Sequence, residues 1–109
     1  EVLATGVIAT VRVRAKAPRG LRSSESVARL SRAEVKERFE ELDVDTRFAS
    51  GVALAAEVLR QSPHVSHLSL SDAEAILAGA LHGADAKQRG DFLANVRKVI
   101  AAERALARR

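Results

Sequence analysis

The chain has 109 residues, a net charge of +4, and no cysteine, tryptophan or tyrosine. That length predicts one domain with a modest core. The lack of cysteine excludes disulfides, thiolate nucleophiles and zinc–thiolate sites. No run approaches the ~20 apolar residues of a membrane span and no secretory signal is visible, so a cytoplasmic or virion-associated protein is expected. The charge is uneven. Residues 1–38 hold nine Lys/Arg against four Asp/Glu, residues 39–85 two against eight, and residues 86–109 seven against two. Two basic ends either meet an acidic partner such as nucleic acid or pair with the acidic middle or a neighbouring subunit.

Val7–Ala17 (VIATVRVRAKA) alternates. Val7, Ala9, Val11, Val13, Ala15 and Ala17 are apolar, while Thr10, Arg12, Arg14 and Lys16 are polar. A period of two predicts a strand with one buried face and one wet, positive face. A lone strand cannot satisfy its own backbone groups, so it needs a partner strand. Another chain, or residues preceding Glu1, could supply it. Val11, Arg12, Val13, Arg14 and Lys16, with Arg19 in the following turn, form the expected partner-binding set. Pro18–Arg19–Gly20 ends the strand, with glycine permitting the turn. Leu21–Leu30 is ambiguous, with Ser23 and Ser24 able to cap one or two helical turns through Leu30.

Ser31 and Glu34 form a capping-box pattern that predicts a helix to Leu42, with Val35, Phe39 and Leu42 on one stripe. Asp43–Asp45 breaks it. Asp45 or Thr46 caps the next helix, which runs to Gln61 and has almost no polar face. Such a helix is central to a fold or lies in an interface, with Val52 and Leu59 as anchors. Ser62–Pro63 stops it, and His64–Leu70 reads as a linker or short strand. Ser71 and Glu74 predict a third helix that turns Ile76, Leu77, Ala80 and Leu81 inward and ends at Gly83. Asp85 and Gln88 open the last helix, which packs through Phe92, Val96, Val99 and Ile100 and ends in a basic tail.

The expected fold is mainly α: a small bundle of about four helices around Thr46–Gln61, preceded by one N-terminal β-strand that pairs with another chain. Residues 1–22 would be the strand and basic turn, and residues 23–109 the helical domain.

Chemical motifs are sparse. A metal site at His64-x-x-His67, with His82 further on, would need both on a shared face and a third ligand from Asp72, Glu74 or Asp85. The spacing is a weak signal, and beside Pro63 the pair reads as surface or loop histidines. Asp43-x-Asp45 begins like a calcium loop, but Arg47 takes the next ligand position and the required glycine is missing. No glycine-rich phosphate loop follows the strand, and the serines fall mostly at caps. No catalytic residue, metal or cofactor is expected, and the chain reads as a non-enzyme. A helix-turn-helix over Arg32–Gln61 is disfavoured, because its second helix is apolar and begins beside Asp43 and Asp45.

A basic strand followed by helices resembles, in layout, the ribbon-helix-helix DNA binders. There two strands from two chains pair and lie in the major groove, which would imply groove-facing roles for Arg12, Arg14 and Lys16. The long stretch Pro18–Leu30 and the two further helices depart from that pattern. Stacking on single strands is disfavoured by the few aromatics. The function expected is a small non-enzymatic assembly or adaptor protein, a phage or bacterial complex component. It would engage a protein partner or further copies through its N-terminal strand. The alternative is a dimeric nucleic-acid-binding regulator using the basic strand and the basic C-terminal helix.

Overall fold

A computed structural model describes residues 6–109. Alternation in the first segment makes strand β1 (Val7–Lys16), and its partner is β2 (Ser23–Ser31) of the same chain. The two form an antiparallel hairpin. The connection tightens at Ala17–Gly20, where the Gly20 N–H donates to the Ala17 carbonyl at 2.8 Å. Pro18 fixes the first central position and Arg19 takes a left-handed φ of 63° at the second, the pattern of a type II turn. The left-handed residue is thus Arg19, not the glycine that the sequence suggested. The register sets Val11 opposite Ala28, Val13 opposite Ser26 and Arg14 opposite Glu25. A register shift lies between Val7 and Ala9, and the Arg32 N–H donates to the Gly6 carbonyl beyond it at 2.6 Å.

This overturns the expected fold class in two respects. The first strand finds a partner for one of its edges in its own chain, so that pairing does not depend on another chain. The fold is a two-stranded hairpin followed by three α-helices, not a four-helix bundle with one strand. The helix expected over Arg32–Leu42 is missing. The Ser31–Glu34 capping box does form, with the Ser31 N–H and hydroxyl both donating to Glu34 Oε1 at 2.8 and 2.9 Å. It opens only a single 3-10 turn, Arg32–Glu34, after which Val35 is extended. A second isolated turn spans Phe39–Glu41. The stripe meant to hold that helix together is not buried, since Val35 and Phe39 are both exposed. A short helix without an apolar face to pack is marginal in water.

The chain divides into a compact unit ending at Glu37 and a second unit, Arg38–Arg109. The second contains α1 (Val44–Leu59), α2 (Leu70–Ala78) and α3 (Ala86–Ala107). Asp43 caps α1, accepting from the Thr46 N–H at 3.0 Å and from its hydroxyl at 2.6 Å. Pro63–Val65 is a 3-10 turn rather than a strand, and Ser62, buried beside it, accepts from the His64 N–H. The cap of helix α2 is Ser69, two residues before the expected Ser71. Ser69 pairs with Asp72, its N–H donating to Asp72 Oδ2 at 2.8 Å, and the helix ends at Gly79 rather than Gly83.

The buried core joins Ala55 of α1, Leu70, Ala73 and Leu77 of α2, and Leu93, Val96 and Ile100 of α3. Phe48, Val52, Leu54, Val58, Leu81 and Phe92 pack around it. Gly51 allows α1 and α2 to approach, because a Cβ there would sit 2.8 Å from Leu77 Cδ2. Val52 packs on the core as expected, but Leu59 is 55% exposed and is not a core anchor. Arg89 of α3 is buried and ties the helical unit together: it pairs with Asp45, donates to the Ala80 carbonyl at 3.3 Å, and lies 4.8 Å from the Phe48 ring centroid. Among the described residues, no helix is long and apolar enough to cross a membrane.

Candidate interaction surface

Opposed residues of an antiparallel pair share a face. On one face of the hairpin lie Ala9, Val11, Val13 and Ala15 of β1, with Leu30, Ala28, Ser26 and Ser24 of β2 opposite them. On the other lie Thr10, Arg12, Arg14 and Lys16, opposite Arg29, Val27, Glu25 and Ser23. The hairpin is therefore amphipathic, apolar on one side and cationic on the other.

Its apolar side is open to solvent. Val11 is 59% exposed, Val13 55% and Leu30 41%. A two-stranded hairpin is at best marginally stable in water unless a third strand or another layer covers its apolar face. On the cationic side, Glu25 sits between two arginines, with Arg12 Nη1 3.4 Å from Oε1 and Arg14 Nη2 3.4 Å from Oε2. Arg14 also donates to the Ser23 hydroxyl at 3.0 Å. At the end of β2, the Ser31 backbone N–H and then its hydroxyl hold the Glu34 carboxyl below the usual glutamate range.

The division of the chain also divides its charge. Glu1–Glu37 carries eight Lys/Arg against four Asp/Glu, whereas Arg38–Arg109 carries ten against ten. The acidic middle and basic end of the sequence lie in one neutral unit, where Arg97 bonds Glu74 at 2.8 Å and Arg89 meets Asp45. The whole excess of +4 belongs to the hairpin unit.

The six residues singled out from the sequence separate by face. Val11 and Val13 lie on the apolar side, Arg12, Arg14 and Lys16 on the cationic side, and Arg19 in the turn between the strands. Glu25, Arg29, Ala28 and Leu30 complete the two faces and were missed. The helical unit offers a second apolar feature, a groove of about 280 Å³ between α1 and α3, lined by Val52, Ala56, Leu59, Phe92, Val96 and Val99 among others. Among the described residues, no group of three or more His, Asp or Glu is placed to hold a metal ion.

A family model described as "Uncharacterized protein YfbK, C-terminal" matches residues 3–101. The chain belongs to that family. The match reaches from the hairpin unit into α3. No curated protein and no solved structure matches the chain.

Proposed function

We propose that this chain is a non-enzymatic interaction module whose hairpin docks on the β-sheet of a protein partner. The observation that carries the reading is the exposed apolar side of the hairpin, Val11, Val13 and Leu30. Two strands with an uncovered apolar face need a further layer or strand, and backbone pairing at a sheet edge is a general way to obtain one. The described sheet has only β1 and β2. The partner proposed is the remainder of the polypeptide that carries the module, since the family is described as the C-terminal part of YfbK. A tethered partner also gains from a high effective concentration.

The test is hydrogen exchange of the Val7–Lys16 amides, with and without the purified region that precedes the matched segment in YfbK. Those amides are expected to slow markedly, and Val11→Ser with Val13→Ser to abolish the effect. Unchanged exchange in the presence of that region overturns the reading.

A second reading, nucleic-acid binding by the cationic side, is supported by the concentration of the net charge in the hairpin unit. The neutral balance of the helical unit argues against a role for the basic C-terminal helix in it. Measuring affinity for a random duplex against salt separates the two readings. Replacing Arg12, Arg14 and Lys16 by alanine should flatten a nucleic-acid salt slope by up to ~0.9 for each phosphate that is no longer neutralised.

A further inference from the structure

We propose that the outer edge of β1 receives a strand whose residues alternate acidic and apolar, with its carboxylates on the side of Arg12, Arg14 and Lys16. This rests on the reading that the hairpin joins a partner sheet, and it names the chemistry of the strand that joins. β2 pairs with one edge of β1, and no third strand pairs with the other among the described residues. Along that open edge three successive positions of one face are cationic. β2 offsets them poorly, setting Val27, Glu25 and Ser23 opposite Arg12, Arg14 and Lys16. One carboxylate, at 3.4 Å from each arginine, is shared between Arg12 and Arg14, and Lys16 faces a serine.

Opposite charges across a strand pair stabilise it and like charges oppose it. A second copy of β1 would bring three cations against three, so the occupant is not this strand of another molecule. The outer edge of β2 lacks such a pattern, because its residues on that face are Ser23, Glu25, Val27 and Arg29. A duplex fits less well than an acidic strand, since Glu25 sits in the middle of the surface that would face the phosphates. On the other side of the same edge, Val11 and Val13 call for apolar residues at the alternate positions. Length and alternation together define the occupant: about seven residues, Glu or Asp alternating with Val or Ile, beside Thr10–Lys16.

The experiment uses the intact chain and three probes: a decapeptide alternating glutamate and valine, the same peptide with lysine for glutamate, and a random duplex of about 20 base pairs. Amide shifts and hydrogen exchange read where each probe binds. The acidic peptide is expected to protect β1 amides between Thr10 and Lys16, and the lysine peptide to leave them unchanged. The variant Arg12→Ala/Arg14→Ala/Lys16→Ala, checked for an unchanged circular dichroism spectrum, should bind the acidic peptide at least about fivefold more weakly. Equal binding of both peptides to β1 overturns the charge assignment while leaving the docking of the hairpin intact. Binding of the acidic peptide along β2, or of neither peptide, overturns the assignment of the edge. Duplex binding with a steep salt dependence and no peptide binding overturns both this inference and the reading beneath it.

Discussion

Two leucines separate core from surface. Leu77 is fully buried beneath Gly51, whereas Leu59 is 55% exposed at the lip of the α1–α3 groove. Leu77→Ala should cost ~2–5 kcal/mol, because truncation removes buried surface and leaves a cavity. Leu59→Ala should leave the melting temperature of the isolated chain nearly unchanged. Thermal unfolding followed by circular dichroism checks both, and is needed because the chain has no Trp or Tyr for fluorescence. Asp43 supplies a pH prediction. The Thr46 hydroxyl and then the Thr46 N–H hold its carboxyl below the ordinary value of 3.8. A carboxylate with a depressed folded-state pKa stabilises fully above its unfolded value, and that contribution is lost as pH falls through the folded value. Stability of the parent should therefore fall with acid below 3.8 more steeply than that of Asp43→Asn, which still caps α1 but does not titrate. Identical acid profiles for the two would show that the cap contributes nothing measurable.

At the scale of elements, legibility followed the contrast between faces. β1 could be read because its two faces differ sharply, Val11 and Val13 on one side against Arg12, Arg14 and Lys16 on the other. β2 could not, because Ser23, Ser24 and Ser26 put the same residue type on both faces, and Val27 on one side blurs the contrast with Ala28 and Leu30 on the other. Missing β2 had a large effect: it turned a hairpin into an unpaired strand and hid Glu25, Arg29 and Leu30 from the candidate surface. The same limit appears at the caps. Ser69 with Asp72 and Ser71 with Glu74 are equivalent patterns in sequence, and burial of Leu70 in the core selects the first. The Ser31–Glu34 box formed as written yet produced no helix beyond one turn. A cap satisfies the first donors of a helix, but it cannot replace the apolar packing that sustains the later turns. Helix α3 was legible through Phe92, Val96 and Ile100. Buried Arg89 was not, since an arginine near a helix start gives no sign that Asp45, 44 positions earlier, will meet it.

For the whole molecule, the location of the core makes a prediction. Every residue of the buried cluster lies in Arg38–Arg109. That fragment should fold alone, with a cooperative thermal transition and the helical signal of the intact chain. The hairpin unit alone has two strands and no buried residue among those described, so it should show little order in isolation. Circular dichroism of the two fragments is the check. An unfolded Arg38–Arg109 fragment would mean that the helices need the hairpin unit for stability.

The unequal division of charge has a consequence for the speed of association. A chain with its positive excess confined to one unit approaches an acidic surface under an orienting force, with the hairpin leading and the neutral helical unit exerting little pull of its own. Such steering raises association rates well above those of random docking, and it fades as the Debye length shrinks to ~8 Å at physiological salt. For an untethered partner the forward rate would then carry most of the salt dependence. The lifetime of the complex would follow the apolar packing of Val11, Val13 and Leu30, which ions do not screen.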